Sequence, residues 1–86
     1  MPGITRRQID AAGGSLIGGS SDVFVNGYGV SRLGDVVAGH GLPPHSSPVM
    51  AAASSTVFVN GRGVCRAGDA ASCGDSATGS SNVSAG

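Results

Sequence analysis

Ten of thirteen residues are identical when Val23-Phe24-Val25-Asn26-Gly27-Tyr28-Gly29-Val30-Ser31-Arg32-Leu33-Gly34-Asp35 is laid over Val57-Phe58-Val59-Asn60-Gly61-Arg62-Gly63-Val64-Cys65-Arg66-Ala67-Gly68-Asp69. A chain of 86 residues that spends so much of its length on one repeated unit must build its fold from copies of that unit. Each copy follows a serine pair, Ser20-Ser21 or Ser54-Ser55, and a third, decayed echo stands at Ser80-Ser81-Asn82-Val83-Ser84-Ala85-Gly86. The N-terminus supplies the matching end of that third copy. Residues 5–10 line up with 30–35 and 64–69, sharing an arginine three before the aspartate. The order is circularly shifted, so a chain that starts in the second half of one unit and ends in its first half can close three units around an axis.

Each Val-Phe-Val run is a short β-branched and aromatic stretch followed by Asn-Gly, the dipeptide that best accepts positive φ at both centres of a type I′ turn. The expectation is an all-β single domain over residues 1–86, made of three pseudo-threefold β-hairpin units. Alternation puts Val23 and Val25 on one face with Phe24 on the other, likewise Val57 and Val59 against Phe58, and neither face is expected to be fully solvated. The second strands, residues 30–33 and 64–67, run into Gly-Asp, where the aspartate accepts backbone N–H bonds and closes a turn. Three copies of one structural turn account for Asp10, Asp35 and Asp69 better than a calcium or catalytic cluster does. Between the repeats, Pro43-Pro44 and Pro48 mark a loop, and Val49-Met50-Ala51-Ala52-Ala53 has the composition for one helical turn, though it is short for a helix on propensity alone.

A domain this small buries only about 60% of the surface its unfolded chain exposes. With three aromatic residues its core is thin, so a further staple is expected. Sixteen glycines and four prolines make it turn-dense, but charged residues are only 12% of the chain, which argues for a compact fold over disorder. Five arginines balance five aspartates, with neither lysine nor glutamate. Without a basic face the chain is not expected to bind nucleic acid. No run of about 20 apolar residues and no signal-like N-terminus is present, so export, if it occurs, is expected by a route that needs no cleaved signal.

These features together resemble the PAAR family: hairpins bearing Val-x-Val-Asn-Gly, a small-residue segment ending in Arg-x-Gly-Asp, and the closing Ser72-Cys73-Gly74. The four residues that name the family are replaced by Gly29-Val30-Ser31-Arg32 and Gly63-Val64-Cys65-Arg66, which keep the arginine and the small residues. The resemblance implies a small pointed cone that sits, one copy per spike, on a trimeric β-helical spike protein, VgrG-like or of a contractile phage tail. A monomer with three similar faces meets a threefold partner without a symmetry clash. The implied role is a structural tip that caps and sharpens a membrane-piercing spike, located at a virion tail tip or secreted through a type VI system, with the target cell membrane as the surface met on piercing. The alternative is a metal-binding adaptor that loads a separate effector onto a secretion spike.

His40 and His45 bracket Pro43-Pro44, and each unit places a residue just past its aspartate turn: His40 after Asp35, Cys73 after Asp69 and Ser15 after Asp10. Imidazole and thiolate are preferred zinc ligands, which makes His40, His45 and Cys73 the candidate metal ligands. The family pattern implies one structural metal ion, zinc or alternatively iron, held by three histidines and a cysteine. The first of those histidines falls here at Ala12 or Ser15, so a fourth position would need water, a carboxylate such as Asp10, or a different metal. The competing reading has both histidines bonded to loop backbone. A Cys65–Cys73 disulfide is the rival use of the thiols, although Ser31 at the position of Cys65 shows that this place does not require one. No nucleophile elbow accompanies the serines, and a thin cone leaves little room for a substrate cleft, so the chain is not expected to be an enzyme. A catalytic metal with an open position is the stronger of the enzyme alternatives.

Overall fold

A computed structural model describes residues 2–39, 41, 45, 46 and 48–85. The described residues are all-β, in three two-stranded antiparallel sheets: β1 (Ala11–Ala12) with β2 (Gly14–Ser15), β3 (Phe24–Val25) with β4 (Tyr28–Gly29), and β5 (Phe58–Val59) with β6 (Arg62–Gly63). The two repeated hairpins share one register, Phe24 opposite Gly29 and Phe58 opposite Gly63. Their turns have Asn26 and Asn60 at φ 55° and 53°, followed by Gly27 and Gly61 at 85° and 77°. Two consecutive left-handed residues make the type I′ turn that the Asn-Gly dipeptide calls for.

The third hairpin is assembled from both ends of the chain. Gly3 bridges Ser84 in the place of the Gly29–Phe24 and Gly63–Phe58 pairs. The Ile4 N–H donates to the Val83 carbonyl as Val30 does to Val23 and Val64 to Val57. Gly3, Gly29 and Gly63 are glycine for one shared reason: a Cβ on any of them would collide with the carbonyl of Ser80, Ser20 or Ser54 respectively. The serine pair preceding each copy therefore crosses directly over the second strand.

The three units close on one another through a ring of backbone bonds. Ser31 donates to the Thr5 carbonyl, Cys65 to Ser31 and Thr5 to Cys65, at 3.0, 2.9 and 2.9 Å. All three residues are fully buried. The bridges Arg6–Val30, Arg32–Val64 and Arg66–Ile4 repeat the same cyclic order. The molecule extends 32 Å along one axis and 23 Å along each of the other two. Such a pair of equal short axes accords with like units arranged around the long one.

The core divides into two apolar clusters, one of which includes Cys65 of the ring. Val25, Val30, Val64 and Ala85, with Ile4, Val59 and Val83 against them, fill the hairpin end. Ala12, Leu16, Val37, Met50, Cys65, Ala71 and Ala77, with Ala53 and Cys73, fill the other. Burying a side chain of the size of Leu16 or Met50 contributes about 1.5–3 kcal/mol.

Four expectations change. The N-terminal register shifts by one: Arg6, not Arg7, pairs with Asp10 at 2.8 Å, matching Arg32–Asp35 and Arg66–Asp69 at 3.0 Å each. Unit three has one more residue between arginine and aspartate, and Arg7 instead lays its stem over Gly19 and Gly29. Residues 49–53 form no helical turn, because Val49 and Met50 bridge Val36 and Ala71 and the sheet contacts outweigh local propensity. The Phe24 and Phe58 face is open, at 58% and 60% exposure, since each ring points away from the cluster that takes Val25 and Val59. The second strands lie earlier than read, at Tyr28–Gly29 and Arg62–Gly63, and residues 30–33 and 64–67 form only single bridges to other units.

Candidate metal centre

Each aspartate turn leads into a loop at the end opposite the hairpins, and the three loops differ in length. The first is the tight hairpin of β1 and β2 around Gly13. The second, residues 36–49, is closed by the Val36–Val49 bridge, and the third, residues 70–76, by the Ala70–Ser76 bridge. Their bases rest on the Arg–Asp turns. In each, the aspartate accepts from the arginine side chain and from the arginine backbone N–H, as Arg32 N–H does to Asp35 at 2.7 Å and Arg66 N–H to Asp69 at 2.8 Å. Asp10 accepts in addition from the Thr78 hydroxyl at 2.9 Å. Burial opposes its ionisation, but the bonds from Arg6, Thr78 and the Arg6 N–H outweigh it and hold its pKa below the ordinary aspartate value. Asp10, Asp35 and Asp69 are thus turn residues, and Asp10 is bonded to Arg6 and Thr78 and is not part of the described donor cluster.

The second and third loops are stitched together. Ser72 N–H donates to the Val49 carbonyl at 2.7 Å, and Val49 N–H to the Ser72 hydroxyl at 3.1 Å. Within the third loop, Gly74 N–H donates to Ala71 and Ala71 N–H to Asp75, with Gly74 at φ 93°. This tight turn projects Cys73 and Asp75 from the same short loop toward the second. There His45 Nδ1 lies 3.3 Å from Asp75 Oδ2, and Cys73 Sγ lies 3.4 Å from the same oxygen.

One ligand atom from each of His45, Cys73 and Asp75 falls within 4.8 Å of the other two. A nitrogen, a thiol and a carboxylate converging from two loops form a donor set that fits a divalent transition metal. The sequence had singled out His45 and Cys73, and the structure brings them together; His40 and the Pro43-Pro44 pair lie outside the described residues. Asp75 was missed. Its signal was the Cys-Gly-Asp spacing, in which a glycine lets the side chains two apart converge. The two places where the family's first histidine would fall carry no donor to this group: Ala12 is fully buried in the core, and Ser15 pairs with Ala11 while its carbonyl accepts from Ala38.

The second thiol has no part in the cluster. Cys65 sits in the central ring, fully buried, and donates to the Ala52 carbonyl at 3.6 Å. Burial, then the Asp69 and Asp35 charges, push its pKa up to about 12, so it stays a neutral thiol. Both cysteines are free, and the disulfide alternative falls away.

No curated protein matches the chain. The family described as PAAR motif matches residues 9–85, which takes in both full repeats, the Arg32–Asp35 and Arg66–Asp69 turns, Asp10 and the His45–Cys73–Asp75 cluster. That family is associated with type VI spike tips. With most of its length matched, the chain belongs to the PAAR-motif family.

Proposed function

We propose that this chain is the structural tip of a trimeric membrane-piercing spike, binding as one copy to a threefold partner of the β-helical, VgrG-like or phage-tail kind. The observation that carries the reading is the cyclic ring of Thr5, Ser31 and Cys65. It makes one chain present three similar faces, the arrangement a single subunit needs to cap a trimer. The hairpin end is the face assigned to the spike. There Ile4, Val59 and Val83 are only partly covered around the buried Val25, Val30 and Val64, and Val23, Val57, Phe24 and Phe58 remain exposed. Covering such a face, with its short strand edges, removes both an apolar patch and unpaired backbone. The opposite end is the one assigned to the target membrane.

His40, His45 and Cys73 are proposed to hold one structural metal ion, zinc or alternatively iron, at that end. When bound, the metal supplies a crosslink between the second and third loops and no chemistry of turnover. The chain's own residues position it: the Ser72–Val49 bonds hold the loops in register, and the Gly74 turn aims Cys73 inward. A tip so tied transmits force without its loops opening.

The test is to mix the purified chain with a recombinant trimeric β-helical spike end and measure the mass of any complex by light scattering. One chain per trimer is expected. No complex, or three chains per trimer, would sink the proposal.

A further inference from the structure

Resting on the metal reading above, we propose that Asp75 is itself a ligand of that metal through Oδ2, so that this chain takes two donors, Cys73 and Asp75, from its third loop and none from its first. Bond lengths of about 2.0–2.3 Å to nitrogen, oxygen and sulfur in a tetrahedral site imply donor-to-donor edges of roughly 3.3–3.8 Å. The distances from Asp75 Oδ2 to His45 Nδ1 and to Cys73 Sγ are 3.3 and 3.4 Å, so both edges meeting at this oxygen are at or close to tetrahedral size. Both neighbours converge on one carboxylate oxygen rather than spreading over two.

Charge and access point the same way. A thiolate and a carboxylate together neutralise a divalent ion, in a chain whose own formal charge is zero. The arginine ion pairs of the described residues engage Asp10, Asp35 and Asp69, while Asp75 pairs with His45. The His45 and Asp75 side chains are 36% and 38% exposed, which leaves a route for an ion to enter. Meanwhile the first loop has only Ala12 and Ser15 where a donor could stand, so the site is displaced from the axis toward the second and third loops. A carboxylate in place of an imidazole hardens the donor set and moves its preference toward iron(II) and zinc over copper(I).

The experiment is a cobalt(II) titration of the reduced full chain, read by absorbance, for wild type, D75A and D75C. Wild type is expected to bind one equivalent with a thiolate-to-cobalt charge-transfer band. D75C, which would add a second thiolate at a ligating position, should raise that band about twofold, and D75A should keep the band while binding at least about tenfold more weakly. Matching thermal unfolding of the metal-free proteins shows that all three fold alike. An unchanged band in D75C overturns the proposal even if D75A binds weakly, because Asp75 would then only orient His45. Such a result would leave the metal site standing, whereas wild type without any charge-transfer band would discard the site and this proposal with it.

Discussion

The layer of Arg–Asp turns and the loops beyond it are built from the same three units yet follow opposite rules. In the turns every unit keeps its arginine, its aspartate and their spacing to within one residue, and all three ion pairs form at 2.8–3.0 Å. In the loops the units diverge, from the hairpin of β1 and β2 to the stretch over residues 36–49, and among the described residues the second and third bring donors together. Repetition fixes where the chain closes on itself, and departure from repetition is where chemistry enters. The turn layer needs equivalence because each unit supports the next: Arg6 reaches Asn26 of one neighbouring hairpin and Arg32 reaches Asn60 of another.

If that division holds, the largest loss should come from emptying the loop end. Chelation of the metal-loaded protein, or H45A or C73A, removes a binding term worth about 4 kcal/mol when free metal is a thousandfold above its dissociation constant. For a domain of this size that corresponds to a fall in Tm of roughly 15–30 °C, measured by calorimetry with and without chelator. A shift of under about 3 °C would mean that the loops hold without a crosslink. Next in size is R32A in the turn layer. It strips the carboxylate of Asp35 of its guanidinium bonds and Asn60 of its link, and leaves Arg62, at 3.3 Å and 42% exposed, as a partial substitute. A loss of about 2 kcal/mol is expected from denaturant titration. Metal affinity should stay unchanged, and a coupled loss would dissolve the distinction between the two regions.

A smaller effect is expected from acid. Asp10 has its pKa lowered in the folded state, so its contribution is complete above the unfolded aspartate value of about 3.9 and is lost as pH falls through the folded one. Metal-free protein should therefore lose stability only below about pH 4, and D10N should show a flatter profile there when denaturant midpoints are compared. Equal slopes for the two proteins would assign the acid transition to other carboxylates.

Much of the hairpin end was legible because its determinants are local. Asn26-Gly27 and Asn60-Gly61 dictate their turns, and alternation separates Phe24 and Phe58 from Val25 and Val59 by covalent geometry alone, although Val23 and Val57 stay exposed. The circular shift was legible too, since the Gly3–Ser84 pairing only completes a pattern shown twice elsewhere. What could not be read depended on contacts between units. Arg7 and Arg6 look alike in sequence, and only packing over Gly19 and Gly29 separates their roles. The exposure of the phenyl rings follows from where the valine cluster lies. Asp75 joins His45 because Ser72 and Val49 lock two loops whose residues are far apart in the chain.

The smallest effect probes the one place where the turn layer itself departs from its repeat. Gly34 and Gly68 sit at φ 87° and 92° and donate to Met50 and Ala77; the residue that donates correspondingly, to Leu16, is Gln8 at φ 72°. A side chain in the left-handed region costs roughly 1–2 kcal/mol, so unit three carries strain that its two relatives avoid. Q8G removes that strain but frees the unfolded chain by about 0.4–1 kcal/mol, which leaves a net gain of roughly 0.5–1 kcal/mol. A rise in Tm of about 2–8 °C is expected. The mirror change G34A should move stability the other way by a similar amount. Should Q8G lower stability instead, the extra residue Ile9 would have reshaped the turn enough to make the left-handed glutamine its preferred state, and the turn layer would be a less faithful repeat than its ion pairs indicate.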